Sequence, residues 1–328
     1  MADDFGYLNA RIRVRMSRLL QEGFFREALH LSFAELVKVL AESSYGPDLT
    51  GQTLADVDRA VSLHLKRTVA DLPQLVSGQA REAVSLLLMR ADLANLKTIL
   101  RGKAARCPSA DLLGRLGGTG TLSPDLLSIM AEAPDAASMA QVLSLRKHPL
   151  AGALREALRA GHESLAMEVT LDRAFFTATL RRARELDQPY LADFLRTEID
   201  GLNLAVGVRL FTVGFEDQAM RFFLKGGRCI GIALFQRLAQ GETAALEELG
   251  QTDFDRAAES RDLATLERHL RCILLTKAHE GVKDVLGAGL AVDYIQRKSW
   301  EAERIRLLSR RAYYSLSPVE MEKEIICQ

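Results

Sequence analysis

The feature that most constrains this chain is a pattern that occurs three times along it. An apolar residue is followed by an acid and an arginine, and 31 to 37 residues later a polar residue interrupts an apolar helical stretch. The acid–arginine pairs are Asp58-Arg59, Asp172-Arg173 and Glu267-Arg268, and the matching polar positions are Asn95, Asn203 and Glu303. The spacings of 95 to 114 residues are too long for tetratricopeptide or HEAT units. The pattern predicts three duplicated domains.

The periodicity of the apolar residues is that of helices. They recur three and four positions apart, as in the series Val84, Leu87, Leu88 and Ala91, which places them on one helix face. Residues 204–213 alone contain enough Val, Phe and Thr to suggest a strand, but the alignment of the copies favours a helix. We therefore expect an all-α fold with three similar helical domains. Glycine-rich stretches place their boundaries at 1–112, 113–214 and 215–328.

Charge and hydropathy exclude several classes of protein. The 43 basic and 43 acidic residues cancel, so the broad positive field of a nucleic-acid binder is missing. No apolar stretch approaches the roughly 20 residues that cross a bilayer. The first residues carry acids where a secretory signal carries bases, which predicts a cytoplasmic protein. The four cysteines are dispersed and form no Cys-x-x-Cys pair, so we expect reduced thiols.

No group of residues has the spacing of a catalytic or cofactor site. The glycine-rich stretch 114–120 lacks the Gly-Lys-Ser/Thr ending of a phosphate loop and is interpreted as a linker. The stretch 225–228, Lys-Gly-Gly-Arg, fits a helix-terminating turn better than an anion site. His269, Cys272 and His279 lack the further ligands of a zinc site. We expect no catalytic residue, no cofactor and no metal.

The recurring polar residues instead favour an architectural role, because catalysis would not need three dispersed versions of one motif. The simplest physical account is that Asn95, Asn203 and Glu303 each make a hydrogen bond where two helices cross. The acid–arginine pairs are interpreted in the same way, as structural repeat positions.

A few residues are candidates for contacts with partners. Arginines cluster on two helix faces, where solvated surface charge is the commoner interpretation and contact with acidic partners or lipid headgroups is the alternative. These candidates are Arg11, Arg15, Arg18, Arg304 and Arg306. Gly289 belongs to a run of small residues at 287–289, which lets backbones approach closely and predicts tight helix packing or a socket.

Four motifs along the chain resemble those of one known family, in the family's order. They are Tyr7-x-Asn9-Ala10-Arg11-x-Arg13, Asp92-x-x-Asn95-Leu-Lys97, Asp200-x-x-Asn203 and Tyr294-x-x-x-Lys298. The set resembles the C subunit of the prokaryotic V/A-type ATPases, whose eukaryotic counterpart is called the d subunit. One departure is visible: the family commonly has an acid after the lysine that matches Lys298, and this chain has Ser299.

The resemblance implies a funnel of three helical domains around a pseudo-threefold axis. It implies a non-catalytic rotor part on the cytoplasmic face of the membrane, with one copy per complex. Its partners would be the central-shaft subunits D and F and the membrane ring of proteolipid subunits. The residues alone leave an alternative open, an all-helical repeat scaffold or adaptor for another protein complex.

Overall fold

A computed structural model of the chain describes residues 5–160, 164–260 and 262–327, and this part of the chain contains helices and no strand. The α-helices in chain order are α1 (Phe5–Met16), α2 (Glu22–Ala28), α3 (Phe33–Glu42), α4 (Leu54–Val69), α5 (Gly78–Ala104), α6 (Ser109–Leu113), α7 (Pro124–Glu132), α8 (Ala136–Leu145), α9 (Leu150–Ala160), α10 (Ser164–Glu185), α11 (Pro189–Val213), α12 (Ile232–Ala239), α13 (Asp255–Ala258), α14 (Leu263–Glu280), α15 (Gly289–Tyr313) and α16 (Pro318–Ile325). Short 3₁₀ turns occupy Gly46–Asp48, Leu72–Leu75, Glu216–Arg221, Thr243–Leu249 and Gly281–Lys283.

Side chains at the helix ends explain why several helices begin and end where they do. In α3, the N-cap Ser32 and Glu35 each accept a hydrogen bond from the other's backbone N–H. Thr53 and Asp56 form the same capping box at the start of α4. Helix α11 ends at Gly214, whose φ of +71° is left-handed and suits glycine.

The all-α prediction is confirmed, including its one ambiguous segment. Residues 204–213 lie inside α11, because the apolar residues of this stretch are spaced to pack on neighbouring helices. Leu204 and Leu210 are buried in one core cluster, whereas Phe211 and Val213 on the other side are exposed. Tertiary burial thus overrides the strand preference of the β-branched residues.

Two compact units are resolved. The first contains the chain up to Val84 together with the chain from Leu275 onward, and the second is Ser85–Leu274. Three domains with boundaries near 113 and 215 remain a prediction.

In the first unit, the long helix α15 packs against α1, α3, α4 and α16. Its Ala302, Ile305 and Leu308 are fully buried in a core that also contains Phe25 and Ile325. Burying a Leu, Ile or Phe side chain stabilises by about 1.5–3 kcal/mol, so α15 is a central structural element of this unit.

In the second unit, α11 packs against α10 and α12, and α9 packs against α8 and α10. Phe235 and Phe254 are buried beside the α11 residue Leu204. Phe175 and Phe176 of α10 are also buried, with their rings edge to face at 5.1 Å. These contacts bury the apolar faces that the sequence pattern predicted.

No helix in the described part of the chain is long and apolar enough to span a membrane.

The state of the cysteines differs in part from the expectation. Cys107 and Cys229 are free thiols, as expected, but Cys272 and Cys327 are each disulfide-bonded. The expectation of reduced thiols is therefore wrong for these two, and it relied on sequence spacing, which does not report distance in space.

Candidate functional site

The acid of each recurring acid–arginine pair forms an ion pair with a cation on a long helix. Asp58 accepts two hydrogen bonds from Arg310 of α15, at 3.1 and 2.9 Å. Asp172 pairs with Lys97 of α5 at 2.5 Å, and Glu267 pairs with Arg209 of α11. The three acids therefore have equivalent partners. The pairs are partly exposed to water, so each stabilises by about 0–1 kcal/mol.

The arginines of the three pairs do not share one geometry. Arg59 donates to Asp56 and to the Thr50 hydroxyl. Arg173 donates to the backbone carbonyls of Met220, Arg221 and Phe223, and Arg268 donates to the Thr265 hydroxyl at 2.9 Å. The acids are thus the equivalent positions of the three motifs.

The two recurring asparagines make the same pair of backbone hydrogen bonds. Asn95 Nδ2 donates to the Gly117 carbonyl at 2.8 Å and Asn95 Oδ1 accepts from the Gly117 N–H at 2.8 Å. Asn203 does the same with Leu224, at 2.8 and 2.9 Å. Both asparagines are buried. Each one therefore ties a long helix to a loop about 20 residues further along the chain, which corrects the expectation of a bond to a crossing helix.

An aspartate one helical turn earlier extends each of these contacts. Asp92 accepts from the backbone N–H groups of Thr121 and Leu122, at 2.8 and 3.1 Å. Asp200 accepts from the N–H groups of residues 228–230, at 2.7 to 3.0 Å. Both carboxylates are almost completely buried. We call the two sets, Asp92 with Asn95 and Asp200 with Asn203, the loop clamps.

Each loop clamp requires a glycine in the loop. A Cβ at Gly120 would lie 1.8 Å from an oxygen of Asp92, and one at Gly227 would lie 1.9 Å from an oxygen of Asp200. The two glycine-rich stretches are therefore not plain linkers or turns. This role was not predicted from the sequence, although the spacing from aspartate to glycine, 28 and 27 residues, was a readable signal.

The third copy differs from its prediction. Glu303 is exposed, whereas Glu301 on the same helix is 2% exposed. Glu301 Oε2 accepts from the Leu20 backbone N–H at 2.7 Å, so it also ties a long helix to a backbone segment. Glu301 is therefore a buried acid of α15, as is Asp293, whereas the predicted position, Glu303, lies on the exposed side of the helix. The third copy was aligned two residues out of place because its long helix, α15, carries no Asp-x-x-Asn motif.

Comparison with known proteins gives a consistent result over the whole chain. The family described as ATP synthase (C/AC39) subunit matches residues 8–324. The V-type ATP synthase C subunit of Thermus thermophilus is 48% identical, with 100% of both chains covered. The protein of the same name from Deinococcus radiodurans is 30% identical over 99% of this chain and 92% of its own. The A-type ATP synthase C subunit of Halorubrum lacusprofundi is 25% identical over 98% and 97%.

The chain belongs to the ATP synthase (C/AC39) subunit family. The resemblance inferred from the four sequence motifs is thereby confirmed.

Lys298, in the last of the motifs that indicated the C/AC39 family, lies in a buried polar network. Its ammonium pairs with Glu301, and both side chains are almost fully buried. Glu301 Oε1 also accepts from the Tyr45 hydroxyl at 2.8 Å. Burial lowers the pKa of Lys298, and Glu301 opposes that shift. Burial and the charge of Glu301 raise the pKa of Tyr45, so its hydroxyl stays protonated as a donor.

The candidate interface arginines of this C/AC39 chain form two groups, those that are bonded to other residues of the chain and those that are exposed. Arg304 is 8% exposed, stacks 3.5 Å above the Phe25 ring and donates to Glu22 at 2.7 Å. That burial corrects its assignment to a surface. Arg15 donates two hydrogen bonds to Asp71, and Arg306 donates to Ser62. Arg11 and Arg18 are exposed.

The first family motif fixes the loop before α15. Buried Asn9 donates through Nδ2 to the carbonyls of Val285 and Gly287, at 2.9 and 3.2 Å. A Cβ at Gly289 would lie 2.6 Å from the Gly281 carbonyl oxygen, so the backbone is closely packed here. Val285 and Leu286 are nevertheless 57% and 82% exposed. We call these two residues the apolar tip.

A metal centre would require several His, Cys, Asp or Glu side chains close together. Within the described ranges, no group of three or more His, Cys, Asp and Glu side chains could hold a metal ion. The polar side chains of the two loop clamps are instead bonded to backbone segments of the chain itself.

Proposed function

We propose that this chain is a non-catalytic central-stalk subunit of a V/A-type rotary ATPase or ATP synthase. It joins the central shaft, formed by subunits D and F, to the membrane ring of proteolipid subunits, and it transmits torque between ATP chemistry and ion translocation. It works at the cytoplasmic face of the membrane, as one copy per complex.

The observation that carries this proposal is similarity over the full length to proteins named as the C subunit of V-type ATP synthases. Coverage of 100% of both chains at 48% identity leaves no segment of the Thermus thermophilus protein unmatched. A partial match could reflect one shared domain in an unrelated assembly, which was the scaffold alternative. A match from end to end favours a shared place in the complex.

The ion pairs of the recurring acids support three copies arranged around a pseudo-threefold axis. Each acid pairs with a long helix of the copy before it: Asp172 with Lys97, and Glu267 with Arg209. The first acid, Asp58, pairs with Arg310 on the long helix of the last copy. A cyclic order of this kind is what a closed set of three duplicated domains requires.

The loop clamps support a mechanical role. A part that transmits torque must not let its loops slide along its helices, and each clamp fixes one loop by five hydrogen bonds to buried side chains. Buried polar groups that are fully paired stiffen a structure, because every alternative arrangement leaves some of them unpaired.

The apolar tip is the candidate contact with a partner. Val285 and Leu286 present apolar surface to water on a loop whose backbone Asn9 holds in place. Apolar side chains fixed in position favour binding, since little conformational freedom is lost on association. We place one of the contacts of this protein with the shaft or the ring at this tip.

Assembly from purified parts tests the proposal. The purified chain should bind the D–F shaft and the proteolipid ring together, in a stoichiometry of one. Leu286→Asp should weaken that assembly at least about tenfold, because it places a charge in an apolar contact. Leu63→Asp is the matched control, since Leu63 is 46% exposed on α4 of the same unit.

Two results would count against these assignments separately. Failure of the wild-type chain to bind either shaft or ring would contradict the proposed function. Normal assembly of Leu286→Asp, or equal weakening by Leu63→Asp, would remove the tip from the interface and leave the function itself untouched.

A further inference from the structure

The first unit contains a cavity of about 470 Å³ whose wall carries four cationic side chains. They are Arg15, Arg18, Arg67 and Lys298. The described residues that form the wall include no acid. This volume lies within the range of about 300–1,000 Å³ that is typical of pockets for small ligands.

Three of these cations are paired with acids that do not line the cavity. Arg15 pairs with Asp71, Arg67 pairs with Asp48, and the buried Lys298 pairs with Glu301. Arg18 forms no ion pair with any residue in the described part of the chain and is exposed. The wall therefore has one cation in excess, Arg18.

The pKa shifts of two groups in the wall show how its cations act on one another. Burial is the first cause that lowers the pKa of His64 and the charge of Lys298 is the second, while Asp48 raises it. Burial also lowers the pKa of Lys298; Glu301 opposes that shift and the charge of Arg67 adds to it. Lys298 and Arg67 therefore each act as a neighbouring positive charge, an effect that a bound anion would relieve.

A neutral donor in the wall is also without a partner. Ser44 lines the cavity, and its hydroxyl oxygen is buried and has no hydrogen-bond partner among the described residues. Buried polar atoms are almost always paired, and an unpaired one costs about 1–3 kcal/mol. A ligand oxygen in the cavity would accept from it.

We propose that this cavity binds the phosphate group of a small phosphorylated compound. Guanidinium groups match the geometry of phosphate oxygens through paired N–H donors. The wall supplies several donors, and a phosphate group has three acceptor oxygens where a carboxylate has two. The partners of the group are Arg15, Arg18, Arg67, Lys298 and the Ser44 hydroxyl.

Calorimetric titration of the purified full chain with inorganic pyrophosphate tests the proposal. We expect saturable binding at one site that weakens as salt is added. Arg18→Gln should weaken it about tenfold, since a hydrogen bond to a charged group is lost. Ser44→Ala should weaken it too. Neither change should unfold the chain, because Arg18 is exposed and the Ser44 hydroxyl bonds to no described residue.

Arg13→Gln is the matched control, because Arg13 is an exposed arginine of α1, a few residues before Arg18, and does not line the cavity. It should bind pyrophosphate like the wild type. Absence of saturable binding in the wild type, or an equal loss in Arg13→Gln and Arg18→Gln, would overturn the proposal.

A second titration separates two sources of the phosphate group. Vesicles of phosphatidic acid in phosphatidylcholine should bind only if the source is a lipid headgroup, and pyrophosphate should then displace them. Pyrophosphate binding without vesicle binding identifies a soluble compound. Vesicle binding that persists in Arg18→Gln and resists pyrophosphate would contradict a headgroup in the cavity.

Discussion

Asn203 and Leu224 exchange two hydrogen bonds, from Asn203 Nδ2 to the Leu224 carbonyl at 2.8 Å and from the Leu224 N–H to Asn203 Oδ1 at 2.9 Å. The side-chain amide of Asn203 thus pairs with a backbone N–H and a backbone carbonyl that would otherwise have no partner in the buried loop. Asn95 does the same for Gly117. The two copies therefore solve one problem, the fixing of a loop on a long helix, with one residue type.

Asn203→Ala tests the energetic weight of this contact. It leaves a buried N–H and a buried carbonyl of Leu224 unpaired, so we expect a loss of about 1–3 kcal/mol in the free energy of unfolding. Chemical denaturation measures it. Thr212→Ala, at an exposed position of the same helix, should change stability by less than about 0.5 kcal/mol. Equal effects of the two changes would contradict the role of Asn203.

Glu301→Ala tests the buried network of α15. It leaves the ammonium of Lys298 buried without its carboxylate, and we expect a loss of about 3–5 kcal/mol in the free energy of unfolding. The double change Lys298→Met with Glu301→Leu removes both charges and should recover most of that loss. A single variant as stable as the wild type would show that the pair is not desolvated.

Acidification tests the environment of His64. Burial lowers the pKa of this imidazole below its usual 6.5, with a further contribution from Lys298. The unfolded chain therefore binds a proton at a higher pH than the folded chain does, and stability falls as pH decreases through 6.5 toward the folded pKa. The difference in free energy of unfolding between wild type and His64→Gln, followed by denaturation across this window, should show that slope. Parallel curves would contradict it.

Gly289→Ala tests the close packing at the start of α15. The new Cβ would lie 2.6 Å from the Gly281 carbonyl oxygen, so a backbone shift is needed and we expect a loss of about 1–3 kcal/mol. Gly23→Ala is the control, because nothing lies within 4 Å of a Cβ at Gly23 in α2. That change should stabilise by up to about 1 kcal/mol. Thermal unfolding compares the two variants.

Local pattern was sufficient to predict the helices and the family. The alignment of the copies predicted the helix over residues 204–213, although the segment alone suggested a strand. The motif residues that indicated the family include Asn9, Asp92 and Lys298, all of which are buried and hydrogen-bonded.

The partners of these residues could not be predicted, because they are distant in the sequence. Asn9 bonds a loop 276 residues away, and Glu301 bonds Leu20 at a separation of 281. The exposure of individual side chains could not be predicted from the sequence either. Glu303 and Glu301 are the same residue type two positions apart, and only packing distinguishes the exposed one from the buried one. Arg304 was mistaken for a surface residue for the same reason, since arginine stems pack on aromatic rings.

We propose that this chain couples the ATP-handling sector to the membrane ring. ATP-driven ion pumping by the complex in vesicles, compared with and without this protein while ATP hydrolysis is followed in parallel, tests it most directly. We expect pumping to be lost without the protein while hydrolysis by the soluble sector persists, and to return when one copy per complex is added. Full pumping in its absence would contradict the account.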